Sequence, residues 1–121
     1  MKARKQYDVK YPALYADSGH KNPTHAEAFN RVQRGHQNFL EYAPGFLLMA
    51  LTSSLFYPVT SAAAVVIYYA GRLVYATGYA EKNEARNRGA FSYIGLLTLL
   101  GGALRGSVGL AMPIIRGALN I

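Results

Sequence analysis

Between residues 42 and 71 this chain carries no Asp, Glu, Lys or Arg, and no other feature narrows its choice of fold so far. A run this apolar offers water no solvated face, which places it in a bilayer. The uncharged turn Tyr57, Pro58, Val59, Thr60, Ser61 divides it into two helical spans. The first helix, read over 26–57, would be about 48 Å long against roughly 30 Å of hydrocarbon, so its first third must project from the membrane. The second span runs over 60–80. A charged connection at 81–88 leads to a third, over 88–112. The fold class is an all-α membrane protein, and 121 residues make a single domain.

The rest of the chain fits this frame. Residues 1–25 form a basic segment and a loop punctuated by Pro12, Gly19 and Pro23, and the first ten residues are too charged to hold the apolar core of a signal peptide. Thr24 followed by Glu27 reads as a capping box that opens the first long helix. Pro44 is placed for a kink that membrane helices tolerate. The mean hydropathy of only +0.05 averages a polar first quarter with three apolar segments. A net charge of +7 raises nucleic acid as a partner, but the bases flank apolar spans, as the positive-inside rule places them, and nucleic acid is set aside. Residues 1–34 and 81–88 hold the basic loops and 57–61 hold no charge, so the basic loops are read as cytosolic, with Arg105 and Arg116 running against the rule. Cysteine is absent, which removes disulfides, thiolate metal sites and a protein-thiol nucleophile; no metal site is read.

Two polar stripes enter the apolar region. At 100° per residue Arg31, Arg34, Asn38, Glu41 and Tyr42 fall within about 100° of one another. Arg72, Tyr75, Tyr79 and Arg86 share a second face if that helix continues into the connection. An ion pair between Arg72 and Glu41 would account for both charges, since a lone arginine inside a membrane is expensive. The other reading joins the stripes into a pocket near the headgroups for a ligand with carboxylates, an ammonium and groups that phenols can donate to; glutathione has these features. Tyr7, Tyr11, Tyr57, Tyr68 and Tyr69 are read as interfacial anchors. Gly95, Gly101, Gly102, Gly106 and Gly109 are read as sites of close helix packing.

Four sets of residues then carry a resemblance: Ala3, Arg4, Lys5; Phe29, Asn30, Val32, Gln33, Arg34, His36, Gln37, Asn38, Glu41; Gly71, Arg72, Tyr75, Gly78, Tyr79; and Arg88, Gly89, Ala90. The chain resembles the membrane-associated proteins of eicosanoid and glutathione metabolism. Within that family it is most similar to the branch of microsomal glutathione transferases of the third type, and less so to leukotriene C synthase. The resemblance implies a homotrimer in the endoplasmic reticulum membrane, with glutathione as co-substrate held near the cytosolic surface between subunits. It implies that Arg4, Arg34, His36, Asn38, Glu41, Tyr42, Tyr75 and Tyr79 bind glutathione. Arg86 would stabilise the thiolate, with Arg88 two residues away as the other candidate, and Lys5 stands where leukotriene C synthase has a second catalytic arginine. Members begin with a helix that ends at the equivalent of Ala3, Arg4 and Lys5, so the expectation is three spanning helices with the first helix missing. The implied activity is glutathione transfer to lipophilic electrophiles, or peroxidase action on lipid hydroperoxides. The alternatives are a non-catalytic lipid-binding scaffold of the same fold, like the five-lipoxygenase activating protein, or a truncated inactive form.

Overall fold

The computed structural model describes residues 2–82 and 84–119; Met1, Asn83 of the charged connection, Asn120 and Ile121 lie outside the described residues. Among the described residues four α-helices form, α1 (Lys2–Gln6), α2 (Pro23–Phe56), α3 (Pro58–Glu81) and α4 (Ser92–Leu119), with a 3-10 helix, Glu84–Gly89, between α3 and α4. Three of them, α2, α3 and α4, are long and apolar enough to cross a membrane.

The ends of α2 and α3 follow the chemistry of Asn and Pro. α2 opens at Pro23, earlier than the capping box at Thr24 and Glu27 predicts. Asn22 is the cap: its Oδ1 accepts from the backbone N–H of Thr24 (3.0 Å) and of His25 (3.2 Å). Asn is among the strongest N-caps and Pro fits the first helical position, where its missing N–H costs nothing, so Asn-Pro overrides the weaker signal. Glu27 instead pairs with Arg31 one turn on, at 2.8 Å. The second helix likewise restarts on a proline, Pro58, so the turn after α2 is only Tyr57, shorter than the turn expected over 57–61. α4 departs most from the expected 88–112. Residues 84–89 are wound into the 3-10 helix, and α4 continues through Pro113 to Leu119. Pro113 removes one hydrogen bond to Gly109, an interruption that membrane helices accommodate.

α1 ends before Tyr11 and Pro12, by its own stop signal. Tyr7 N–H donates to the Ala3 carbonyl (2.9 Å) and Val9 N–H to the Arg4 carbonyl (3.0 Å), the latter bond closing a Schellman motif. Asp8 occupies the left-handed position of that motif, with φ of 54°. A non-glycine residue is strained there, and Gly carries no such penalty. Asp8→Gly is expected to leave stability unchanged or raise it by about 0.5–1 kcal/mol in thermal unfolding; a loss of 1 kcal/mol or more would show that the Asp8 side chain holds the turn.

The chain divides into two compact units, Met1–Glu41 with Arg72–Ala90, and Tyr42–Gly71 with Phe91–Ile121. The division follows charge. All six carboxylates and every Lys and Arg except Arg105 and Arg116 belong to the first, polar unit.

The apolar unit is built around Phe46, Ala64, Tyr68 and Leu99. Tyr68, read from the sequence as an interfacial anchor, is instead buried in this core, its ring stacked on Phe46 with centroids 4.1 Å apart. α4 presents a stripe of mostly small buried residues, Ser92, Gly95, Leu99, Ala103 and Gly106, at the three- and four-residue spacing of one helical face. Gly95 is the closest approach: a Cβ there would run into the Ala64 carbonyl oxygen and come within 2.8 Å of the Tyr68 backbone nitrogen. Gly102 and Gly106 are likewise against Ser53 and Phe56, but Gly101 and Gly109 have nothing within 4 Å and take no part in this packing, contrary to expectation. Near the α2–α3 turn the buried hydroxyls of Ser53 and Ser61 bond at 2.8 Å, satisfying two polar groups where lipid offers no partner. Around this core the large apolar side chains point outward, among them Leu48, Leu51, Leu55, Val59, Leu97 and Ile114. That pattern belongs to a surface solvated by lipid tails.

Candidate functional site

All the candidate residues except Tyr42, which opens the apolar unit, fall in the polar unit. Its loop between α1 and α2 is tied down by side chains rather than by regular structure. The Asn30 amide grips Ala16 at both backbone groups, accepting its N–H at 2.8 Å and donating to its carbonyl at 3.0 Å. His20 bridges the two ends: its Nδ1 lies 2.9 Å from the Asn22 carbonyl oxygen and its Nε2 lies 2.9 Å from the Tyr7 carbonyl oxygen. The apolar anchors beneath are Val9, Ala26 and Phe29, all buried.

Three groupings emerge. In the first, α2 and α3 meet through Arg72. Its Nη2 donates to Asn38 Oδ1 at 2.8 Å and its guanidinium lies 4.7 Å from the centre of the Tyr75 ring. The expected ion pair with Glu41 is not among the contacts seen, and the Glu41 carboxylate is exposed. An amide oxygen and a ring face compensate a buried guanidinium without a second buried charge. Tyr79 continues the face, its ring centre 5.8 Å from that of Tyr75, and it is buried against α2, where a Cβ on Gly35 would touch its Cδ1 at 3.7 Å. The second stripe thus meets the first at Asn38 through a hydrogen bond.

The second grouping is a cleft of about 410 Å³ in which Arg4 and His36 face the same space, with Tyr11, Phe29 and Gln33 on its walls. The Arg4 guanidinium sits 4.1 Å from the Tyr11 ring centre and 5.3 Å from that of Phe29, and its Nη1 donates to the Ala13 carbonyl at 2.8 Å. Ring faces and a carbonyl hold Arg4 in place while keeping its charge intact, and a carboxylate entering the cleft meets a pre-positioned cation. Tyr11 and Phe29 are partners of Arg4 that the sequence reading missed. The sequence reads Tyr11 as a membrane anchor and Phe29 only as part of the resemblance; nothing local in either signals an arginine partner.

The third grouping is a cleft of about 320 Å³ that holds Arg31 and Arg34 together with Asp17, Glu27, Asn30 and His20. Arg34 lines this cleft, and Arg4 the other. Cations and carboxylates line one space here, which suits a zwitterion better than a simple anion.

Lys5, Glu41, Tyr42 and Arg86 are exposed and line neither of the two clefts. Arg86 is nonetheless positioned by backbone packing. The 3-10 helix that carries it lies against α3 at Gly78, where a Cβ would come within 2.5 Å of the Ala85 carbonyl oxygen. Gly78, one of the residues of the resemblance, is what allows that approach. The site offers guanidinium, phenol, amide and imidazole groups and no thiol of its own, so any sulfur nucleophile must arrive with a substrate.

The sequence model of the MAPEG family matches residues 1–107. Microsomal glutathione S-transferase 2 of Homo sapiens is 32% identical over 111 residues, which cover 91% of this chain and 68% of that protein. The Mus musculus protein of the same name is 37% identical over 73 residues, 60% of this chain and 50% of its own length. Both relatives bear the name of the second type, where the sequence motifs point to the third; the family is common to both.

Proposed function

The chain belongs to the MAPEG family and is an integral membrane protein, and from that premise we propose that it is a glutathione transferase, with peroxidase activity as a second outcome of the same chemistry. The relatives' name supplies the transfer of glutathione, and the polar unit supplies groups that suit it. The single observation that carries the reading is the gathering of the candidate residues in that unit, with Arg4 and His36 facing one cleft and Asn38, Arg72, Tyr75 and Tyr79 joined in one network. In this reading the guanidinium of Arg4 or Arg34 takes a glutathione carboxylate, Glu41 its ammonium, and the phenols of Tyr42, Tyr75 and Tyr79 donate to what remains.

The chemistry is thiolate attack. A glutathione thiol has a pKa near the roughly 8.5 of free cysteine and is mostly protonated at neutral pH. A guanidinium at Arg86 favours the anion by charge and hydrogen bond. The sulfur then bonds to an electrophilic carbon of a lipophilic substrate that reaches the site from the bilayer. With an epoxide the C–O bond breaks, and Lys5 stabilises and protonates the oxygen released. With a lipid hydroperoxide the thiolate attacks the terminal peroxide oxygen, the O–O bond breaks and the lipid leaves as its alcohol; a second glutathione then attacks the sulfur of the resulting sulfenic acid, giving the disulfide and water. The basic loops face the cytosol in this scheme, because the polar unit holds nearly all the Lys and Arg; the endoplasmic reticulum membrane and a homotrimer complete it.

Isothermal titration of the purified, detergent-solubilised chain with glutathione tests the reading. A saturable heat is expected, weakened about tenfold by Arg34→Ala, the loss of one charge-assisted hydrogen bond. The absence of any heat for the folded wild-type chain would overturn it.

A further inference from the structure

The apolar unit holds two charges, Arg105 and Arg116, both on α4, and no carboxylate. Arg105 Nε donates to the Tyr57 hydroxyl at 3.0 Å, so its head is held beside the α2–α3 turn, the end of the unit opposite the charged connection in sequence. Its Nη groups make no hydrogen bond or ion pair with a described residue. The same two side chains line a cleft of about 650 Å³ whose other walls are apolar: Phe56, Leu104, Val108 and Leu110. Gly109, also on the cleft, has nothing within 4 Å and keeps the space along α4 open.

A guanidinium at the edge of a membrane unit that lacks any acid needs a counter-charge from outside the chain. The occupant must also cover apolar walls, so it is an amphiphile with an anionic head. We propose that the cleft at Arg105 and Tyr57 binds a phospholipid in the leaflet on the side of the α2–α3 turn, its phosphate on the guanidinium and its acyl chain along Leu104, Val108 and Leu110. The planar fork of an arginine matches phosphate oxygens two at a time, and a tyrosine hydroxyl at the interface adds a further donor or fixes the fork. The head should be anionic rather than zwitterionic, because no carboxylate of this unit is available to receive a headgroup ammonium. Arg116 lies on nearly the same face of α4, about 20° away, but roughly 16 Å along the axis, beyond the distance at which an exposed charge acts strongly in physiological salt. It is not a ligand of the same phosphate.

Native mass spectrometry of the full chain, released from a nonionic detergent after addition of phosphatidylglycerol or phosphatidylcholine at equal concentration, tests the proposal. One phosphatidylglycerol per chain is expected to be retained about tenfold better than phosphatidylcholine. Arg105→Gln should bring retention down to the phosphatidylcholine level, Arg105→Lys should keep part of it, and Arg116→Gln should change it less than about twofold. Equal retention of the two lipids by the wild type, or wild-type retention by Arg105→Gln, overturns the proposal. Displacement of the lipid by inorganic phosphate at equal concentration overturns the choice of a lipid. Circular dichroism establishes that each variant is folded. Should Arg105→Gln unfold the chain, Tyr57→Phe, which deletes one hydroxyl, decides: a severalfold loss supports the site and unchanged retention overturns it.

Discussion

Arg86→Ala is expected to lower the rate of glutathione conjugation at neutral pH by ten- to a hundredfold, while glutathione affinity changes little. The size follows from thiolate chemistry. One unit of thiol pKa is worth about 1.4 kcal/mol, and a guanidinium beside the sulfur is worth one to two such units. The pH–rate profile should therefore move as well, its midpoint climbing toward the roughly 8.5 of a free thiol. Arg88→Ala provides the contrast. The two arginines stand two residues apart on a 3-10 helix of three residues per turn, so they point about 120° from one another and cannot serve the same sulfur. Unchanged turnover in Arg86→Ala, with the rate lost in Arg88→Ala, would transfer the role to Arg88. Unchanged turnover in both would remove the 3-10 helix from the mechanism.

The second large effect concerns folding. Gly95→Val is expected to destabilise the protein by about 2–3 kcal/mol, or to abolish the folded state in detergent. The new Cβ meets backbone atoms of Ala64 and Tyr68, which cannot rotate aside as a side chain would. Gly101→Val, six residues along the same helix, puts its side chain into open space and should lie within about 0.5 kcal/mol of wild type. Denaturant titration of the two variants side by side measures the difference. Equal stabilities would mean that α4 does not pack on α3 through Gly95.

Much of the fold was legible because the signals are local. Uncharged runs and basic connections delimit three apolar helices, and the structure forms all three. The errors in their boundaries have local causes too. Asn22 with Pro23 is a stronger start than Thr24 with Glu27, and Pro58 restarts a helix where five residues of turn were expected. The expectation that α4 would stop near Pro113 gave that proline the weight it has in a soluble helix, where the interrupted ladder is exposed to water. The candidate site was legible at the level of helical faces. Spacing by three and four placed Arg72, Tyr75 and Tyr79 together, and the ring and guanidinium contacts among them follow.

What the sequence by itself determined is thus the helical class, the separation of a polar from an apolar part, and the faces that carry charge and phenol. Hydropathy and the 3.6-residue period are properties of one segment at a time, so one segment suffices to read them. What only the tertiary structure decided is who meets whom. A helical period names a face but not the height at which a neighbour crosses it, so it could not choose Asn38 over Glu41 as the partner of Arg72 or separate Gly95 from Gly101. Nor could it bring Tyr11 and Phe29 onto Arg4, since that contact depends on a loop held by Asn30 and His20. Such contacts join residues far apart in the chain, and their energies exist only once the packing is made.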